Sequence, residues 1–283
     1  MRLFVTGGTG FIGSHFVRYA LGHAHDIVAL RRAPDSAMRL ESIVLPQWLD
    51  KPMTGVQIDD LRGVDALVHL AAAGVSPQCA PWQELMRVNV VESLQLWQTA
   101  AKAGVGRIVV CGSCFEYGRS AERYDWLPPD APLEPVTPYA ASKAAASMAA
   151  MGLAAEYKVE VVIVRPFNVF GEGQHHKNFW PSLRRAALSG EDFPMTRGEQ
   201  VRDFVPVERV AEEILEACVS KSAVACGVQV INIGSGHPQT LHEFAEMWWT
   251  RWNAKGSLLI GALPYRDGEV MRYVPAIDGA VVA

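Results

Sequence analysis

The chain has 283 residues, 49% of them hydrophobic, with 26 lysines and arginines against 30 aspartates and glutamates. That length can bury a substantial core, and the charge balance argues against a nucleic-acid binder or a polybasic membrane-surface protein. No apolar run reaches the ~18 residues of a membrane span and the N-terminus spends its apolar residues on a strand rather than a signal peptide, so a soluble, cytoplasmic protein is expected.

The chain opens with a short apolar strand, Leu3 to Thr6, that runs into Gly7-x-x-Gly10-x-x-Gly13 and then into a helical stretch from Phe11 to Leu21. In such a loop the first glycine makes the tight turn, the second lets a pyrophosphate approach the backbone, and the third packs helix on strand. A second strand follows at Asp26 to Leu30, and further apolar strands are expected at Ala66 to Leu70, Arg107 to Val110 and Val159 to Arg165, with helical stretches between them. This alternation predicts an α/β fold with a Rossmann-type, doubly wound parallel sheet. Ligands of such sheets collect at the carboxyl ends of the strands, where Gly7, Ala71, Ser113 and Phe167 fall. A dinucleotide-binding domain is expected over 1–167. The looser, Gly/Pro-punctuated segment 168–283 is expected to form a smaller substrate-binding domain, with part of 203–220 packing back on the first.

The run Ala140 to Tyr157 is rich in Ala and Met without proline and reads as a helix, so Tyr139 and Lys143, four residues apart, share a face. A tyrosine titrates near pKa ~10, and an adjacent ammonium stabilises its phenolate. Lys143 is therefore expected to lower Tyr139 into the range of a useful general acid/base. At the end of the second strand, where NAD-selective folds carry an acidic residue, the sequence reads Leu30-Arg31-Arg32. Two guanidiniums suit the 2′-phosphate of NADP, so NADP(H) is favoured, with NAD(H) the alternative. Five cysteines without framework spacing fit a reduced compartment. Cys111-Gly112-Ser113-Cys114 spells C-x-x-C but ends a strand and lacks a second pair, so neither a redox site nor a metal is expected.

These segments, with Val64 to Ala72, Val88-Asn89-Val90, Gly112 to Gly118, Arg165 to Gly171, Gly198 to Val205, Asn232 to Gly236 and Tyr265 to Glu269, resemble the extended short-chain dehydrogenases/reductases, the group of nucleotide-sugar epimerases, dehydratases and reductases. The resemblance implies a catalytic set of Ser113, Tyr139 and Lys143. It implies a cofactor site from Gly7, Gly10, Phe11, Ile12, Gly13, Arg31, Arg32, Leu70, Ala71, Ala72, Asn89, Tyr139, Lys143 and Phe167. A nucleotide-diphosphate sugar would meet Ser113, Cys114, Phe115, Asn168, Asn178, Arg202, Arg266 and Glu269. In the 4,6-dehydratases an Asp-Glu pair follows the Ser113 position; Cys114 and Phe115 stand there, which disfavours that elimination, and Glu116 falls one place late.

The runs Gly198 to Phe204 and Arg266 to Met271 look most like the branch that reduces nucleotide-linked 4-keto-6-deoxy sugars, such as CDP-abequose synthases. An NADPH-dependent reductase is therefore the leading expectation, an NAD-dependent 4-epimerase with the same trio the alternative, and a catalytically silent dinucleotide-binding protein a remote third. A homodimer is also implied. Relatives continue past Arg272 to Ile277 into a last helix, so a trimmed C-terminus is expected, with the Trp-rich stretch Met247 to Trp252 either a buried helix face or a partner contact.

Overall fold

A computed structural model describes residues 1–220 and 227–277. In chain order its first strands are β1 (Arg2–Thr6), β2 (Asp26–Arg31), β3 (Gln47–Asp50), β4 (Ala66–His69), β5 (Arg107–Cys111) and β6 (Glu160–Pro166). They are followed by β7 (Val169–Phe170), β8 (Phe193–Met195), β9 (Val201–Asp203), β10 (Val205–Pro206), β11 (Val228–Ile233), β12 (Pro238–Thr240), β13 (Leu258–Ile260) and β14 (Arg272–Tyr273). The helices are α1 (Phe11–Gly22), α2 (Trp82–Met86), α3 (Ser93–Lys102), α4 (Pro138–Tyr157), α5 (Phe179–Ser189), α6 (Val207–Val219) and α7 (Leu241–Arg251).

Seven strands form one sheet in the order β11-β6-β5-β4-β1-β2-β3, every neighbouring pair parallel. The chain winds outward from β1 to β3, returns to β4 and winds the other way, which places the topological switch point between β1 and β4. The sheet is the Rossmann type expected. Two of its strands lie outside the expected set. β3 follows a long loop, and β11 comes from the segment assigned to the substrate domain.

Apolar residues cover both faces of the sheet, as a parallel sheet requires. On one face Phe16 and Val17 of α1 meet Val210, Ile214 and Leu215 of α6, so α6 packs against the sheet. On the other, Leu96, Trp97 and Ala100 of α3 pack with Ala146, Ala150, Leu153 and Ala154 of α4. Each large side chain buried in this way contributes about 1.5–3 kcal/mol.

The later strands build a smaller unit: β9 flanked by β12 and β14, and the pairs β7/β10 and β8/β13. Its aromatic cluster joins α5 to α7, with Trp180 edge-on to Trp248 at 5.5 Å and Trp248 stacked on Trp252 at 4.8 Å. The Trp-rich stretch is thus a helix face packed within its own chain. Residues 278–283, on which the expectation of a trimmed end rests, lie outside the described residues. Among the described residues no helix is long and apolar enough to cross a membrane.

Candidate active site

The in-register ends of β1, β4, β5 and β6 set the site. Thr6 lies opposite His69, His69 opposite Val110, and Cys111 opposite Val164, so Gly7, Leu70, Gly112 and Phe167 leave the sheet along one edge. Gly7 takes φ +72°, and a Cβ there would stand 2.6 Å from the Ala71 nitrogen. A Cβ on Gly13 would lie 2.0 Å from the Gly7 carbonyl oxygen. The loop closes this tightly only because both positions lack side chains.

Gly10 begins α1 with no side-chain cap and no acidic residue in the first turn, which leaves the helix N-terminus at Phe11, Ile12 and Gly13 to an anion. The cradle fits a dinucleotide pyrophosphate. Leu70, Ala71 and Ala72 border it across the switch point, while Phe167 is fully buried and tilts against Tyr117 at 6.4 Å. Asn89 sits in a π-helical turn, Arg87–Glu92, and spends its whole amide on the protein. Its Oδ1 accepts from Ala73 N at 2.7 Å, and its Nδ2 donates to Ala73 O at 3.1 Å and to Ser142 Oγ at 2.9 Å. It clamps the loop after β4 to α4, a role the sequence did not disclose.

Beneath the same loop lies a buried chain of hydrogen bonds. Ser93 Oγ donates to Val88 O, which leaves it to accept from His69 Nε2 at 2.9 Å. Thr6 Oγ1 meets His69 Nδ1 at 3.0 Å and accepts from Ala71 N at 3.2 Å. Burial keeps the imidazole neutral and pushes its pKa down to about 3, with the Lys143 charge adding to the effect.

α4 starts one residue before Tyr139 because Pro138 takes its first position and the Thr137 hydroxyl accepts from Ala140 N at 3.2 Å. Ser113, on the turn after β5, is close enough to the Tyr139 phenol to pull its pKa down, and its Oγ accepts from Phe115 N at 3.3 Å. The expected lowering of Tyr139 is not what its surroundings produce. Burial first, then Cys111, Glu116 and Cys114, hold the phenol well above its ordinary range, and only Ser113 pulls it down. Lys143 is buried and its Nζ donates to the Cys111 carbonyl at 2.6 Å, so its charge is spent on the end of β5.

Cys114 is buried and its thiol is pushed up to about 12, chiefly by burial; Phe115 is 42% exposed and edge-on to Tyr273 at 5.7 Å. Neither can exchange a proton at neutral pH. Glu116 is the residue the sequence left unplaced. It is fully buried, and its carboxylate accepts from Ser113 N at 2.8 Å, Ser147 Oγ at 2.7 Å and Arg165 Nε at 3.0 Å.

On the opposite wall, Arg202 pairs with Glu269 at 2.9 Å, donates to the Val270 and Val201 carbonyls, and lies 5.5 Å over the Tyr273 ring. Asn168 holds a buried Nδ2 without a hydrogen-bond partner. Asn178 Nδ2 donates to Ser76 O at 3.4 Å, and Arg266 is exposed on the turn that Glu269 N closes onto the Arg266 carbonyl. Among the described residues no group of three or more His, Cys, Asp or Glu side chains could hold a metal.

Residues 3–234 match the NAD dependent epimerase/dehydratase family. The chain belongs to that family. As an epimerase/dehydratase family member it is similar to the UDP-glucose 4-epimerase of Neisseria meningitidis serogroup B, 28% identical over 278 residues that cover 86% of this chain and 80% of the relative. Among solved structures it is similar to MoeE5 in complex with UDP-glucose and NAD, at TM-score 0.83 and 28% identity over 99% of this chain and 91% of that one. It is also similar to a DesIV double mutant, a dTDP-glucose 4,6-dehydratase from Streptomyces venezuelae with NAD and DAU bound, at TM-score 0.81 and 28% identity over 99% and 89% of the two chains.

Two expectations are corrected. The similar proteins include a UDP-glucose 4-epimerase and a dTDP-glucose 4,6-dehydratase, and both complexes hold NAD, which overturns the NADPH-dependent 4-keto-6-deoxy-sugar reductase. NADP selectivity falls with it, and the structure gives a physical reason. Arg31 is not free, because Asp50 on β3 lies beside it in register and takes its Nε and, at 3.3 Å, its Nη2, while Trp48 stacks beneath the guanidinium at 5.0 Å. Only Arg32 is left exposed.

Proposed function

We propose that the protein is an NAD-dependent nucleotide-sugar 4-epimerase. The observation that carries this reading is the makeup of the proton-exchanging groups around Ser113. Tyr139 stands beside it as a protonated phenol, the two positions after Ser113 hold a protonated thiol and a phenyl ring, and the carboxylate of Glu116 is turned into the protein and engaged by three donors. A 4,6-elimination needs an acid and a base beyond the tyrosine, whereas inversion at C4 needs one group that takes a proton and returns it.

NAD bound on the Gly7 to Gly13 cradle would supply reversible two-electron oxidation of the C4 alcohol, and its positive ring would favour the phenolate. Tyr139 would take the C4 hydroxyl proton and give it back once the 4-keto sugar has presented its other face. Ser113 would orient the C4 oxygen, and Lys143 would steady the edge of the site through Cys111. Asn168, Asn178, Arg202, Arg266 and Glu269 would meet the nucleotide diphosphate, within a substrate unit drawn from 168–206 and 234–277. The exposed Arg266 suits that role through paired charge-assisted bonds to phosphate, whereas Arg202 would have to give up part of its pairing with Glu269 and the Val201 and Val270 carbonyls. We read the protein as a cytoplasmic homodimer, which sedimentation equilibrium would test.

The experiment is incubation with NAD and UDP- or dTDP-hexoses, with inversion at C4 read by proton NMR against the Tyr139→Phe variant. Interconversion of a C4 epimer pair is expected. Absence of inversion above that variant across the panel would reject the reading, and loss of water at C6 would replace it with a dehydratase.

A further inference from the structure

We propose that Glu116 is a positioning residue that locks the Ser113 turn to the helix carrying Tyr139 and Lys143. This rests on the 4-epimerase reading for its kinetic consequences and on geometry alone for the lock itself.

The carboxylate reaches three elements at once. Oε1 accepts from the backbone nitrogen of Ser113 at 2.8 Å; Oε2 accepts from Ser147 Oγ on α4 at 2.7 Å and from Arg165 Nε on β6 at 3.0 Å. Ser147 is one helical turn beyond Lys143 and two beyond Tyr139, so the bond ties the turn to the face of α4 that carries the chemistry. Gly112 makes room, since a Cβ there would lie 2.5 Å from Glu116 Oε1 and 3.3 Å from the Val164 carbonyl oxygen. The Arg165 guanidinium is held in turn. Its Nη1 bonds Tyr117 Oη at 2.9 Å and the Pro129 carbonyl at 3.0 Å, and Tyr117 Oη donates to Asn232 Oδ1 at 2.6 Å.

Both members of this ion pair are essentially out of water, with side chains 0% and 2% exposed. Desolvating two charges is a poor route to stability, because apolar residues of similar volume commonly do as well. What the pair supplies is direction. A carboxylate with three charge-assisted or backbone bonds cannot rotate without breaking one of them, and the Ser113 nitrogen moves with it. A serine that orients a reacting oxygen must hold its position to a fraction of an ångström, and its support is this carboxylate. The negative charge of Glu116 also contributes to holding the Tyr139 phenol protonated until positive charge arrives beside it.

The test uses the full chain as holoenzyme with NAD, in Glu116→Gln and Ser147→Ala, each alone and with Ser113→Ala. Two readouts are taken. Amide hydrogen exchange at Ser113 needs no sugar, and it should accelerate at least tenfold in either variant; unchanged exchange in Ser147→Ala overturns the lock. With the C4-epimer pair as substrate, kcat should fall ten- to a hundredfold in Glu116→Gln and three- to tenfold in Ser147→Ala, with KM within threefold, and neither should add to the loss in the Ser113→Ala background. Equal losses with and without Ser113 would overturn the proposal, because Glu116 would then act by another route. Ser147→Ala keeps the ion pair, so it decides the matter if Glu116→Gln does not fold. An inactive wild-type chain with accelerated Ser113 exchange in the variants would reject the epimerase and leave the lock standing.

Discussion

Replacing Gly13 by alanine tests the cofactor cradle most directly. The added methyl would sit 2.0 Å from the Gly7 carbonyl oxygen, 2.8 Å from its carbon and 2.9 Å from Gly8 Cα, against an ordinary contact of at least 3.4 Å. All three atoms are backbone, so no rotamer change relieves the clash, and α1 must retreat from the β1 turn by roughly 1 Å. Overpacking of this kind costs about 1–3 kcal/mol, which lowers the melting temperature of a chain this size by about 2–10 °C. The same retreat draws the N–H groups of Phe11, Ile12 and Gly13 away from the pyrophosphate position, so NAD affinity should fall at least tenfold. Gly10→Ala is the control, since its methyl meets only the Gly7 oxygen at 3.1 Å and requires a shift of a few tenths of an ångström. Calorimetry and fluorescence titration with NAD read both. A Gly13→Ala chain with unchanged melting temperature and NAD affinity would refute the close approach of α1 to Gly7 as the basis of the site.

Tyr139→Phe should lower kcat by about 10²–10⁴ and leave NAD affinity within twofold, since the phenol acts only in proton exchange; equal turnover would remove Tyr139 from the chemistry. Asp50→Ala frees the Arg31 fork, so the ratio of NADP to NAD affinity should rise about tenfold, and an unchanged ratio would mean that Arg31 does not face the ribose phosphate position. His69, neutral when folded and pushed down to about 3, takes up its proton on unfolding at its ordinary value of 6.5. Its contribution to stability is therefore complete above pH 6.5 and is lost as pH falls toward 3, by up to about 1.4 kcal/mol per pH unit. Denaturant midpoints between pH 7 and 4.5 should fall less steeply in His69→Gln, and parallel slopes would refute the buried neutral imidazole.

The parts of the fold that local pattern controls were readable. The strand leading into Gly7, the helix at Tyr139 and the alternation that makes a parallel sheet all follow from periodicity and from glycines that tolerate close backbone approach. What was hidden depends on pairing at a distance. Gln47–Asp50 has no marked alternation and becomes a strand only by lying beside β2, and without it Arg31 looked like a free phosphate ligand rather than half of an ion pair. β11 joins β6 in register across the whole length of α5 and α6. Glu116 carries no sign of burial in its neighbours, because its partners Ser147 and Arg165 lie 31 and 49 residues further on. The four-residue spacing of Tyr139 and Lys143 was right as geometry, but the acidity of the phenol depends on desolvation and on where the ammonium finds its acceptor.

The choice between inversion and elimination therefore depends less on the presence of the tyrosine than on what its neighbours cannot do. Around Ser113 the Cys114 thiol is held protonated by burial, the Glu116 carboxylate is engaged by three donors, and His69 is kept a neutral imidazole by burial. Tyr139 is left as the group whose protonation could change when positive charge arrives beside it, with Ser113 the neighbour that pulls its pKa down. With one exchangeable proton, a site can oxidise an alcohol and reduce the ketone again. It cannot also draw a proton from C5 while protonating a leaving hydroxyl at C6, and that limit separates epimerisation from dehydration on an otherwise shared scaffold.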